Sequence, residues 1–232
     1  DKFQKDANGM YQAQPLNVDV TYDFVNPKAG FAWHKDGHRA YVSYAMSSRE
    51  PERNNFTDNG QSGAPRAERL HDVEMGYSYD GKNWYASVGA YYMGYKDQLV
   101  QTGELSDIGE ALTTNIEDSY RMGLEVSAGY TPFKWLSLDV NGAFSRNRIL
   151  SFDEHVSYDW DESFQVKHYD NSTLVFSPSV VLNGMATFRW QGLKAVWHTN
   201  FVSRQYLDNT QCLDRSLPRY STTAIRLSYT LN

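Results

Sequence analysis

The sequence predicts an all-β protein, an antiparallel transmembrane β-barrel segment of about nine strands. Three observations predict it. Segments that alternate apolar and polar residues recur along most of the chain. The connections between them are by turns short and long, in strict order. Trp or Tyr stands beside almost every short one. A soluble sheet has no reason to gather its long loops at one end. A barrel of the bacterial outer membrane does, with tight turns at one rim and long loops at the other.

Residues 1–21 are polar and without period, and read as the remnant of an outer loop; 22–232 read as barrel strands and loops. Phe24–Trp33 is the first expected strand, closed by Lys35-Asp36-Gly37, since Gly tolerates positive φ. Arg39–Ser48 follows, with Val42, Tyr44 and Met46 facing away from Ser43, Ala45 and Ser47. Arg69–Tyr79 and Trp84–Tyr95 pair across Asp80-Gly81. Tyr120–Tyr130 is the clearest: Tyr120, Met122, Leu124, Val126, Ala128 and Tyr130 share one face, and Arg121, Gly123, Glu125, Ser127 and Gly129 the other. Leu136–Ser145, Val180–Trp190, Leu193–Tyr206 and Thr222–Leu231 complete the set. The short connections are then His34–His38, Asp80–Asn83, Thr131–Lys134 and Gln191–Gly192. The long ones are Arg49–Ala67, Lys96–Thr114, Arg148–Pro178 and Asp208–Ser221.

Trp33, Tyr79, Trp84, Tyr130, Trp135 and Trp190 flank the short turns, as an interfacial girdle requires. The plainer alternative is that aromatics favour strands anyway; their coincidence with the turns argues for the girdle. An odd strand count does not close a single-chain bacterial barrel. The chain also starts on the loop side and ends on the turn side. Both features predict an incomplete barrel whose first and last strands are open edges, which lipid does not tolerate.

Composition agrees. Hydrophobic residues are 41 % of 232 and mean hydropathy is −0.63, with no apolar run of the roughly 20 residues that a spanning helix needs. A barrel needs only every second residue apolar. Aromatics reach 15 %, including 17 Tyr. A net charge of −6 argues against a nucleic-acid partner. Cys212 stands alone, so neither a disulfide framework nor a thiolate metal cluster is expected. Asn55 and Asn171 begin glycosylation-like tripeptides that read as ordinary loop sequence. Residue 1 opens into polar sequence with no export signal, which fits a mature form or a piece of something longer.

Specific wording adds a family. Tyr41-Val-Ser-Tyr-Ala-Met-Ser-Ser-Arg49-Glu50-Pro51-Glu-Arg53 resembles a late strand and loop of TonB-dependent outer-membrane receptors, in the variety common in Bacteroidetes. Asn26-Pro27-Lys28-Ala29-Gly30, Glu68-Arg69-Leu70, Tyr95-Lys96-Asp97-Gln98-Leu99-Val100, Asp118-Ser119-Tyr120-Arg121-Met122-Gly123 and Gln205-Tyr206-Leu207-Asp208-Asn209 are similar too, and in the same order. The resemblance implies the C-terminal part of a plugged barrel of 22 strands. Its implied partners are the N-terminal strands and plug of the same receptor, TonB through that plug, outer-membrane lipid and a small-molecule chelate. It implies import of a ferric siderophore, haem or a similar scarce nutrient, with no cofactor and no enzymatic step in this segment. One departure is the close on Tyr229, Leu231 and Asn232, where such barrels often end on an aromatic assembly signal.

Ligand contacts are expected from outer loops and upper lumen: Arg49, Arg53, Tyr158 and Trp160. Strand parity aims Arg49 at the lumen, where it can hold an anionic chelate bidentately or pair with Glu50 or a neighbouring strand. The acidic loop from Asp153 to Glu162 lacks an EF-hand spacing, and a solvated face is the simpler reading. His34 and His38 straddle a turn and share no helix face; His168 and His198 have no evident partner. No Gly-x-Ser-x-Gly elbow appears. Two other classes fit part of the pattern. A β-sandwich lectin or adhesion module would put long loops at both ends; a passive porin would conduct steadily without a plug.

Overall fold

A computed structural model describes residues 2–5, 11–14, 19–57, 64–105, 111–157 and 164–231. A short hairpin, β1 (Lys2–Lys5) with β2 (Tyr11–Gln14), stands apart from the main sheet. There follow β3 (Lys28–Lys35), β4 (His38–Arg49), the five-residue α1 (Arg53–Thr57), β5 (Glu68–Asp80), β6 (Trp84–Leu105), β7 (Ala111–Phe133) and β8 (Leu136–Ser157). Then come β9 (Phe164–Thr173), β10 (Val180–Trp190), β11 (Leu193–Val202), the pair β12 (Gln205–Tyr206) and β13 (Ser216–Leu217), and β14 (Tyr220–Tyr229).

The main sheet runs β3-β4-β5-β6-β7-β8-β10-β11-β14, with β9 on the distal half of β8. Every pairing is antiparallel; β3 to β8 follow chain order, β10 skips β9 to pair with β8, and β14 pairs with β11. β8 changes partner along its length: residues 136–144 pair with β10, and 148–157 pair with β9. The nine expected strands are thus the nine of the ladder, and β9 is an added distal arm.

Turn chemistry sets the register. Asp36 and Gly37 have φ of 49° and 82°, and Gln191 and Gly192 have 44° and 84°. Two successive positive-φ residues make the turn whose twist matches a two-residue hairpin. At Gly37 a β-carbon would lie 2.5 Å from the Asp80 carbonyl oxygen, so Gly is required on both counts.

Period two then sorts the side chains. One row across the sheet reads Phe31, Val42, Met75, Ala90, Leu124, Phe144, Val180. A row on the opposite face reads Arg39, Ser78, Ser87, Ser127, Asn141, Asn183, Asn200, Thr222. Ser87 and Ser127 hydroxyls lie 2.7 Å apart, and Asn183 Nδ2 donates to Asn141 Oδ1 at 2.7 Å.

No second layer covers the apolar face among the described residues. Leu124 is 50 % exposed and Leu227 69 %. Among the described residues the buried hydrophobics are Val100, Ile116, Ile149, Phe152 and Leu174, all toward the long-loop end. A soluble sandwich would bury that face against another sheet; here it stays uncovered among the described residues. The ladder ends at β3 and β14, which do not pair with each other among the described residues.

On the polar face three tyrosines lie over glycines of the next strand. Tyr41 covers Gly76, Tyr85 covers Gly129 and Tyr91 covers Gly123, each glycine being the tyrosine's direct register partner. A β-carbon added at Gly76 or Gly129 would overlap the ring, and one at Gly123 would meet the Tyr91 hydroxyl at 2.8 Å.

Several expectations are corrected. The stretches 96–114 and 148–178 are largely strand, not loop: β6 continues to Leu105, β7 begins at Ala111, and β8 and β9 form a long hairpin. β3 starts at Lys28, later than Phe24. β11 ends at Val202 where the chain leaves the sheet, and β14 spans Tyr220–Tyr229.

Candidate functional site at the long-loop rim

Arg49 is the last residue of β4, and parity with Ser43, Ala45 and Ser47 sets it on the polar face. Its Nη2 donates to Glu68 Oε2 of β5 at 3.0 Å. The same carboxylate oxygen accepts the Leu99 N–H at 3.0 Å, so Glu68 fastens β6 as well. The partner of Arg49 is therefore on the neighbouring strand, and is not Glu50.

Below this pair on the same face, Tyr95 lies in the row Ser47, Leu70, Tyr95, Ser119, Ile149. The next row is Asp72, Met93, Arg121, Asn147. The Arg121 guanidinium stands 5.7 Å from the Tyr95 ring centre, within cation–π range. Asp72 Oδ1 and Arg121 Nε are buried without a hydrogen-bond partner. Such orphan atoms are uncommon in native interiors. Sequence reading missed Tyr95, Asp72 and Arg121, although their parity on β5, β6 and β7 was there to be used. The rim thus gathers two guanidinium groups, two carboxylates and a phenol on one wall.

Arg53 lies on α1, just past Arg49. That helix is tied to the sheet by Asn55, whose Nδ2 donates to Thr113 Oγ1 at 2.6 Å. Tyr158 and Trp160 lie outside the described residues.

Above the rim the two arms are packed together. Ile149 is fully buried and Leu174 nearly so, in one cluster with Val100, Ile116 and Phe152, and Tyr169 lies against it. The segment after β11 is tied in by polar contacts. Asn209 is fully buried and accepts the Val175 N–H at 2.9 Å. Arg215 bridges Asp208 at 2.8 Å and Glu154 at 3.4 Å. Arg148 Nη1 donates to Asn171 O and Thr173 Oγ1 at 3.0 and 2.9 Å.

His168 is not alone. Nδ1 faces Asp153 at 2.5 Å and Nε2 faces Asp170 at 3.2 Å. Hydrogen bonding to Asp153 first, then Asp170, raises the imidazole above its ordinary value. A raised pKa favours the folded hairpin below the unfolded value, about 6.5, and that contribution fades as pH rises through the folded one. Carbon-13 titration of His168 in the folded protein is expected to give a value above that of an exposed histidine. Replacing both Asp153 and Asp170 by Asn should return it to the ordinary range; an unchanged titration would show that the carboxylates do not act on the ring. Among the described residues no cluster of His, Cys, Asp and Glu could hold a metal ion.

At the opposite rim the six aromatics stand where the short turns are. Trp33, Tyr79, Trp84, Tyr130 and Trp190 lie on the apolar face within three residues of the short-turn ends of their strands, and Trp135 sits in its two-residue turn. Tyr79 and Trp84 pack at 4.7 Å between centroids, and Phe133 and Trp135 stack at 5.2 Å. No helix among the described residues is long and apolar enough to cross a membrane, which says nothing about strands.

Solved structures share the fold. The siderophore receptor PiuA from Acinetobacter baumannii superposes with a TM-score of 0.67 at 15 % identity, covering 96 % of this chain and 32 % of that one. The copper transporter OprC gives 0.67 at 15 % over 88 % of this chain and 31 % of its own. The FrpB iron transporter from Neisseria meningitidis (F5-1 variant, apoprotein form) gives 0.63 at 15 %, over 98 % and 34 %. The chain therefore spans about a third of the length of these transporters. No curated protein matches it by sequence. A family profile described as TonB dependent receptor-like, beta-barrel matches residues 1–232. With its nine-strand ladder, uncovered apolar face and long-loop rim, the chain belongs to the TonB-dependent receptor β-barrel family.

Proposed function

We propose that this chain is the C-terminal barrel wall of an outer-membrane receptor that imports a scarce nutrient of the ferric siderophore or haem type. The carrying observation is the sheet itself: one face apolar and uncovered, the other a continuous polar row, with family membership over its whole length. In this reading the apolar face meets lipid and the six aromatics of the short-turn rim lie at its periplasmic boundary. The polar face lines a lumen holding the plug of the same receptor, and TonB drives import through that plug. Residues 1–21 lie on the outer side, and 22–232 form the wall and its loops.

Arg49, Arg53, Tyr158 and Trp160 meet the ligand at the mouth, with Arg49 exchanging part of its contact with Glu68 for an acidic chelate. A charge-assisted contact of this kind contributes about 1.5–3 kcal/mol. Arg49→Ala in the full receptor should then weaken half-saturation of iron-chelate uptake by roughly 10- to 100-fold while leaving the folded fraction intact. Unchanged half-saturation would reduce Arg49 to a strand fastener. The wider reading is tested by uptake of radioactive iron as siderophore or haem complexes, with and without a protonophore. Energy-independent uptake with steady ion conductance would replace the receptor by a passive pore.

A further inference from the structure

Charge is segregated across the polar face. β5, β7 and β8 place Asp72, Glu74, Glu125 and Asp139 on it, whereas β10, β11 and β14 contain no Asp or Glu at all. Those three strands instead bring Arg189, Lys194 and Arg226 to the same face, in a chain whose net charge is −6. Arg189 and Lys194 flank the Gln191–Gly192 turn and are register partners, so their Cβ atoms stand about 5 Å apart. Arg226 pairs with Val196 and is diagonal to Lys194, roughly 7–8 Å away. His198 lies on the other diagonal of Arg226, further from the turn.

Like charges set directly opposite each other destabilise a sheet, and these are not neutralised from within. All three side chains are exposed, and none makes an ion pair among the described residues. Arg189 Nη1 reaches across to β8, away from Lys194, and donates to the neutral Ser137 Oγ at 3.2 Å. The carboxylates toward this end of the face are engaged elsewhere. Asp139 accepts the Tyr85 hydroxyl at 3.2 Å, and Asp80 is held by Arg39 at 3.5 Å. The face is hollowed between Tyr41 of β4 and Asn183 of β10, and a cleft edged by one sign of charge concentrates counter-ions.

We infer that Arg189, Lys194 and Arg226 form a second anion site, at the short-turn mouth of the polar face, for a small multiply charged carboxylate. The inference rests on the proposed import of an acidic chelate and deepens it. Arg49 stands at the long-loop end, and this triad stands at the end by which such a cargo leaves. The two ends differ in chemistry: Arg49 is engaged by Glu68 and has to exchange a partner, whereas the triad has none to give up. Two guanidinium groups and an ammonium match a ligand with two or three carboxylates, each guanidinium taking one of them bidentately. A single carboxylate engages only part of the set.

The test is carbon-13 NMR of the full receptor in detergent, its lysines reductively methylated and the Lys194 signal identified by its loss in Lys194→Arg. Citrate is the probe, in about 0.15 M salt so that diffuse attraction is screened. Citrate is expected to move the Lys194 signal saturably, and acetate to need at least a tenfold higher concentration. Arg189→Gln with Arg226→Gln should raise the citrate requirement at least tenfold, and Arg39→Gln on the same face should leave it unchanged. A Lys194 signal that citrate does not move overturns the site, whether the triad is bare or already covered by an acidic segment of the receptor. An equal response to acetate, or an unaltered response in the double variant, overturns it as well. In iron-chelate uptake the double variant should lower the maximal rate at least threefold with half-saturation unchanged, the opposite of Arg49→Ala; an unchanged maximal rate overturns the exit role. Energised uptake without a citrate response removes this inference alone, while passive uptake removes the import reading and leaves a citrate response standing as an anion site. The folded fraction of each variant, read by heat-shifted electrophoretic mobility, separates lost binding from lost structure.

Discussion

Leu124→Arg should cost the full receptor about 2–4 kcal/mol of stability in bilayers, the penalty for Arg near the midplane of a lipid-facing barrel wall. Leu124 stands at the middle of β7, half-exposed, flanked in its row by Ala90 and Phe144. Nothing in that row can pair with a guanidinium. Its chain neighbour Glu125 faces the other way, in the row with Gly89 and Ala143. Glu125→Arg should therefore cost less than about 1 kcal/mol, as exposed substitutions usually do. Urea titration of receptor folded into vesicles measures both. The reverse order of penalties would mean that the face carrying Glu125 meets lipid and the face carrying Leu124 lines the lumen.

Ile149→Ala acts on a different part of the molecule and with comparable force. Ile149 is fully buried where β7 and β8 stop pairing and the distal arms begin. Truncating such a residue costs about 2–5 kcal/mol, from lost transfer energy and the cavity left behind. The loss should be local, because the wall beneath is held by backbone ladders. Hydrogen exchange should show faster exchange along the β6–β7 and β8–β9 arms and in residues 207–215, with unaltered protection at Val126 and Val140. If protection falls evenly through the wall, the arms and the wall are one cooperative unit. If it changes nowhere, the small core at the rim is not what holds the arms.

The wall was legible in the sequence because alternation and turn chemistry agree there. Asp36-Gly37 and Gln191-Gly192 mark hairpins, and Tyr120–Tyr130 alternates without a break. Legibility ended above the rim, where buried apolar residues such as Ile116 stand singly on a strand. Thr113, Asn115 and Glu117 carry no apolar period, so the distal half of β7 resembled loop, although β7 begins at Ala111. At Asp97 the backbone φ is 55° and the pairing skips one residue on each strand without changing register; the register shifts further out, between Gln101 and Leu105. A register shift of that kind hides strand from a period-two search. At the rim, parity correctly put Arg49 on the polar face, but its partner Glu68 lies 19 residues away. That pairing depends on the length of the intervening loop, which no local pattern encodes. His168 was missed for the same reason: Asp153 reaches it only across the β8–β9 pairing.

The tyrosines laid over glycines bear on how such a wall could be assembled without error. Alternation forbids a strand from slipping by one residue, since every side chain would change face. A slip of two keeps every face correct, and alternation is blind to it. The tyrosine–glycine pairs are not. Moved by two, Tyr85 would meet Ser127 or Thr131 in place of Gly129, Tyr91 would meet Arg121 or Glu125 in place of Gly123, and Tyr41 would meet Glu74 or Ser78 in place of Gly76. Each substitute places a side chain where the ring must lie. The three pairs therefore distinguish the native register of β4–β5 and of β6–β7 from a two-residue slip, which alternation alone does not.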